Sequence, residues 1–180
     1  KKGGREDYQG HHDTDANGEI DLTAEYNWGH ALNAAKRDRG ASTDFTTDAF
    51  MAFYEGRRLL ASIDGALTDE ELERLRGYRD VIVGAWEKAI AATVIHYIND
   101  VIGDMEAGDA YDFYAHAKHW SEMKGFALSL QFNPRSPLSS DDFQQMHSLF
   151  GQAPELPNSP DADSSRSALL QARDLLESAY

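Results

Sequence analysis

The chain has 180 residues, 41% of them apolar, which suits a folded globule with one core rather than a disordered segment. It has no cysteine, which excludes disulfides, thiolate metal sites and cysteine nucleophiles. Its net charge of −14 disfavours nucleic acid, whose phosphates need clustered Lys and Arg, and anionic membrane surfaces.

The opening "KKGGREDYQGHH", residues 1–12, has no apolar periodicity and reads as a linker or processed N-terminal segment. His11 and His12 end it; a metal-avid patch is the sharper reading of them, a linker the blander one. Residues 13–180 are expected to form a helical domain, the C-terminal portion of a larger helical protein.

"DTDANGEIDLTAE", residues 13–25, has the spacing of an EF-hand calcium loop. Calcium takes six to eight oxygens, and alternate acids in a curled loop converge on it. Asp13, Asp15 and Asn17 supply side-chain oxygens, Gly18 permits the sharp turn, Glu19 offers its carbonyl, and Asp21 ligates directly or through water. The bidentate acid belongs at the twelfth position, which is Ala24; Glu25 comes one residue late. Either the exiting helix starts late and Glu25 reaches back, or the last carboxylate comes from elsewhere. Asp, Asn and Gly also favour plain turns, so a polar turn that caps a helix is the competing reading. With no second EF-hand, a calcium here would be structural.

Five helices follow, with a short sixth. Leu22, Tyr26, Gly29 and Leu32 predict a helix over 22–38. Phe50, Phe53 and Leu60 continue the pattern in a helix that starts at a Thr/Asp cap and stops at Gly65. Thr68 and Glu71 form a capping box that opens the strongest helix, whose stripe runs from Leu72 to Val101 with a break expected near Gly77 or Gly84. Its half from 81 to 103 is apolar nearly all round and predicts a central helix needing cover on most sides. A helix over 110–131 is halted by Asn133–Pro134, a short capped helix ends at Gly151, and "SRSALLQARDLLESAY" is a final amphipathic helix. No alternation demands a sheet, and no apolar run approaches the roughly 20 residues of a membrane span. The fold class is all-α, a helical bundle preceded by the EF-hand-like loop.

"HAKHWSEMKGFALSLQFNP" holds the other constellation. His116, His119 and Glu122 follow at steps of three on one helical face, beside an apolar line through Phe113, Trp120, Met123, Ala127 and Leu130. Imidazole and carboxylate three apart on a bundle helix can ligate a transition metal, iron or zinc, or can be polar residues bonded to neighbouring helices. His96 lies in the apolar run "AATVIHYIND" and reads as a core histidine. Glu55 and Glu87 could complete a site or pair with Arg57, Arg58 or Lys88. The chain has no His-Glu-x-x-His, no Gly-x-Ser-x-Gly and no phosphate-cradling Gly loop.

"WEKAIAATVIHYIND" and "KHWSEMKGFALSLQFNPRSPLS" resemble a bacterial helical family, domain of unknown function 4856, and "DLTAEYNWGHALNAAKRD" and "FMAFYEGRRLL" resemble its earlier segments. The likeness covers most of residues 20–180. It implies a secreted or envelope protein, periplasmic or extracellular, that associates with a missing N-terminal helical portion or a second chain. The family is similar to imelysin-like proteins, whose Gly-x-His-x-x-Glu metal motif is matched at His119 and Glu122 and departs at Ala117. The leading expectation is a metal-binding helical protein with a structural calcium. The alternatives are a metal-dependent hydrolase or redox enzyme using His116, His119 and Glu122, and a structural interaction subunit.

Overall fold

The computed structural model describes residues 15–19 and 29–180. Leu22 and Tyr26 therefore lie outside the described residues, as do His11 and His12. Six α-helices follow in order: α1 (Gly29–Asp38), α2 (Phe45–Ala61), α3 (Asp69–Met105), α4 (Phe113–Ser129), α5 (Ser140–Leu149) and α6 (Ala162–Ala179). Short 3-10 turns, Gly108–Ala110 and Leu130–Phe132, flank α4, and there is no strand among the described residues. The all-α expectation holds at this level. The chain divides into two compact units, Lys1–Ala89 and Ile90–Tyr180, with the boundary inside α3.

In the first unit the core is built mainly from small residues. Ala34 and Ala35 of α1, Ala49, Ala52 and Leu59 of α2, and Ala85 and Ala89 of α3 are buried. Phe50, Phe53 and Leu60, which mark the predicted stripe of α2, are instead about half exposed. A second ridge, Ala49, Ala52, Gly56 and Leu59, has equally good helical spacing and packs inward. Its side chains are small enough for α2 to approach α3 closely: a methyl at Gly56 would lie 3.7 Å from Leu75 and Tyr78. The cap of α2 also differs from expectation. Asp44 makes no side-chain capping bond, and Asp38 at the end of α1 accepts from Phe45 N (3.0 Å), Thr46 N (2.8 Å) and Thr46 Oγ1 (2.6 Å). Partial burial works to raise the Asp38 pKa, but these bonds to the ionised form prevail and hold it below the usual carboxylate value.

The capping box of α3 forms as expected. Glu71 accepts from Thr68 N at 2.8 Å and Oγ1 at 2.7 Å, and Thr68 Oγ1 accepts from Glu71 N at 3.3 Å. The break expected at Gly77 or Gly84 is absent; α3 continues through both. A glycine weakens a helix without breaking it when its neighbours carry the ladder. A methyl group added at Gly77 would meet no atom within 4 Å. Gly77→Ala is therefore expected to stabilise the chain by about 0.5–1 kcal/mol, read as a higher urea midpoint at unchanged m-value.

The second unit has the larger core. Val94, Ile98, Val101 and Met105 of α3 join Met123, Ala127 and Leu130, then Met146, Phe150, Leu169, Ala172 and Leu176. By length and composition α3 would also pass for a membrane span, contrary to expectation, yet this part of it supplies the core. His96 corrects expectation: it is exposed, 3.2 Å from Asp100 one turn on. Phe113 is exposed too, because it opens α4 one turn before His116, the first buried residue of that helix.

Helix α4 holds the end of α5. Trp120 Nε1 donates to the Phe150 carbonyl at 3.1 Å and Lys124 Nζ to the Gly151 carbonyl at 3.0 Å. These bonds satisfy carbonyls that a helix C-terminus leaves without partners. Gly151 itself, at φ +71°, takes the left-handed conformation that ends a helix cheaply in glycine. Ser139 opens α5 as predicted, accepting from Asp142 N at 3.0 Å. Helix α6 begins at Ala162, three residues earlier than expected, with Asp163 in its first turn where the helix dipole favours an acid.

Candidate functional site

Of the calcium-loop residues, Asp15, Asn17 and Glu19 are described, while Asp13, Asp21 and Glu25 lie outside the described residues. Residues 15–19 form two consecutive Asx turns. Asp15 Oδ1 accepts from Asn17 N at 3.2 Å, Asp15 Oδ2 from Asn17 Nδ2 at 3.1 Å, and Asn17 Oδ1 from Glu19 N at 2.7 Å. Ala16 at φ 58° and Gly18 at φ 84° supply the two left-handed residues that curl the backbone. The segment is exposed throughout. A plain polar turn would make the same bonds. Each takes one lone pair of an oxygen that carries two, so bonding within the turn and coordination of a cation do not exclude each other.

The histidines of α4 find partners other than those their spacing suggested. Asp112 caps the helix, accepting from Tyr114 N at 2.9 Å. One turn in, His116 is fully buried, with Tyr111 Oη 3.0 Å from its Nδ1. Its Nε2 is buried with no hydrogen-bond partner. Burial lowers the His116 pKa; Asp104 opposes that shift and His119 adds to it, so the ring stays neutral. Tyr111 is pushed up by burial and by the carboxylates of Asp104 and Asp112.

His119 is bonded to a residue that helical spacing does not single out. Asp104, near the C-terminus of α3, places Oδ2 2.7 Å from His119 Nδ1. A carboxylate only accepts, so Nδ1 carries the proton and Nε2 is left as the basic nitrogen. That is how carboxylates orient histidines that ligate metals or relay protons. Tyr97 lies beside the ring, with 6.1 Å between centroids. Glu122 does not join this pair: its Oε2 is 3.4 Å from Lys118 Nζ, an ion pair one turn apart. No group of three or more His, Asp or Glu side chains able to hold a metal occurs among the described residues.

Asp104 escapes a reading by spacing because it lies 15 residues before His119, on another helix, whereas spacing arguments see only one helix at a time. Its signal in the sequence is the acid-rich turn "GDMEAGDAYD" between two helical stripes. Of the other acids considered, Glu55 pairs with Arg58 at 2.8 Å, and Glu87 is buried in the first unit.

Two concave regions add little chemistry. A cavity of about 560 Å³ in the second unit is lined by residues between Leu130 and Gln144, none of them titratable. A groove of about 330 Å³ in the first unit is apolar apart from Arg57, Arg79 and the Tyr78 ring.

The fold defines an all-helical protein. No family model matches the chain, and no curated protein and no solved structure matches it either.

Proposed function

We propose that the chain is a divalent-cation-binding helical protein whose loop at 13–25 holds a structural calcium. The observation that carries this reading is the double Asx turn at Asp15–Glu19, with Gly18 in the left-handed conformation at the position where a calcium loop bends most sharply. The oxygen-only donor set and the surplus of acids over bases suit a hard cation. A loop whose described residues, 15–19, are this exposed would bind weakly, in the roughly 10⁻⁴–10⁻³ M range of extracellular modules, which fits a periplasmic or extracellular location. Calorimetric titration of the full chain is expected to give one calcium site that Asp15→Ala weakens at least about tenfold, or about 1.4 kcal/mol. An isotherm that Asp15→Ala and Glu25→Gln both leave unchanged would remove the loop from the account.

A second reading is favoured by the Asp104–His119 pair. It makes His119 Nε2 a transition-metal ligand or a general base, with neutral His116 and Tyr111 beside it. This reading predicts that Asp104→Asn alters the pH dependence of any turnover or metal affinity while the far-UV spectrum is unchanged, because the amide keeps the shape and loses the charge.

A further inference from the structure

Helix α2 is packed with its small side chains inward and its large ones outward. Ala49, Ala52, Gly56 and Leu59 are buried, while Phe50, Met51, Phe53, Tyr54 and Leu60 are each 44–50% exposed. Close packing at Gly56 accounts for the small ridge facing inward, and it leaves outside an aromatic face whose burial would stabilise by roughly 25 cal/mol per Å². The outward strip spans about ten residues, or roughly 15 Å of helix at 1.5 Å per residue. Beside it, α2 and α3 enclose the apolar groove, floored by Ala52, Gly56, Leu75 and Ile82.

Charge identifies what fits there. α2 and α3 carry ten acids against six of the chain's 17 Lys and Arg residues (Arg57, Arg58, Arg74, Arg76, Arg79 and Lys88), yet the charged residues that line the groove are Arg57 and Arg79, with no acid among them. Arg58 is bound to Glu55, Arg76 to Glu73 and Arg79 to Asp80, and Arg74 acts on Glu71. Arg57, exposed on the groove wall, has no ion-pair or hydrogen-bond partner among the described residues. A second copy of the chain would bring another −14 charge and another Arg57 to the same place, which opposes self-association. A strip of two to three turns with a groove alongside matches the ridge of a helix, whose anchors recur at i, i+3 and i+7.

We propose that the α2–α3 groove docks an amphipathic helix of a partner protein, its apolar ridge entering between Phe53, Leu60 and Ile82 and its acidic flank meeting Arg57. The proposal is independent of the calcium loop. It is tested by displaying a library of helical peptides on yeast, with Leu fixed at i, i+3 and i+7 and the flanking positions drawn from Glu, Lys and Ala, and selecting on the full chain. Glu-flanked peptides are expected to be enriched. Leu60→Glu should weaken the enriched peptides at least about tenfold, and Arg57→Glu should shift selection toward Lys-flanked sequences. Both positions are exposed, and unchanged circular dichroism confirms that both variants fold. No enrichment, preference for Lys-flanked peptides on the unaltered chain, or indifference to both substitutions overturns the proposal. A concentration-dependent dimer in sedimentation velocity that Leu60→Glu abolishes also overturns it, and assigns the face to a second copy.

Discussion

Ile98→Ala is expected to destabilise the chain by about 2–5 kcal/mol, the range for emptying a filled aliphatic site in a core that relaxes only in part. Ile98 is completely buried, in a cluster with Met123, Met146 and Leu176, each also inaccessible to solvent. Those neighbours come from three other helices, so no single side-chain rotation refills the space. Native stability is typically about 5–15 kcal/mol, and a loss of this size removes a large part of it. The matching control is Val81→Ala. Val81 sits on the same helix but is 48% exposed, so its truncation should change stability by no more than about 0.5 kcal/mol. Urea midpoints of the two variants separate the cases. Equal midpoints would mean that the cluster around Ile98 is not packed as described.

Acid is expected to weaken the protein in two stages, the first governed by buried histidines. His116 and His147 are both held below the ordinary histidine value of 6.5. For His147, burial is the main cause, and the Lys124 charge outweighs the pull of the Ala127 carbonyl. Its ring lies between Phe143 and Phe150, with centroids 4.5 and 5.7 Å away, and its Nε2 is buried without a hydrogen-bond partner. A group with a depressed folded pKa binds its proton more readily in the unfolded chain. For a histidine, stability is therefore full above the unfolded value near 6.5 and declines as pH falls below it. The second stage belongs to Asp38 and Glu71, whose folded values are also depressed. Their contribution is present above the ordinary carboxylate range and is lost as pH drops through it. Urea unfolding from pH 8 to 4 is expected to show the first decline beginning near 6.5. Substituting Gln at both His116 and His147 should flatten that decline and leave the carboxylate stage in place. A double variant with the parent's pH profile would show that neither ring is buried neutral.

The sequence carried the helices better than their facing. Capping chemistry is local, so Thr68–Glu71 and Ser139–Asp142 were legible three residues apart. Asp38, which caps α2 from the preceding helix, was not, because nothing local distinguishes it from Asp44. In α2 two ridges share one period, and hydrophobicity alone selects the aromatic one; the small-residue ridge won because it lets α2 lie close to α3 at Gly56. His96 departs from expectation for a related reason. A near-continuous apolar run conceals which one of its faces stays outside.

The candidate sites divide along the same line. The turn at Asp15–Glu19 was legible because Asx turns are made by residues two apart. The partner of His119 was not, because pairing across a helix–helix turn depends on where α3 stops and α4 starts. The i, i+3 rule placed His119 and Glu122 on neighbouring positions correctly, but adjacency on a helix does not make two side chains share a ligand. Lys118 is as near to Glu122 and carries the opposite charge.

We propose that oxygens between residues 13 and 25 hold one divalent cation. The most direct measurement is elemental analysis of the full chain after exhaustive dialysis against a buffer with known free calcium near 1 mM and excess magnesium, beside the Asp15→Ala variant. At the affinity given above, roughly 0.5–0.9 calcium per chain is expected, with no stoichiometric magnesium and about half that calcium or less on the variant, since seven or so flexible oxygen ligands favour the larger ion. Equal calcium on both chains, or none on either, would contradict it.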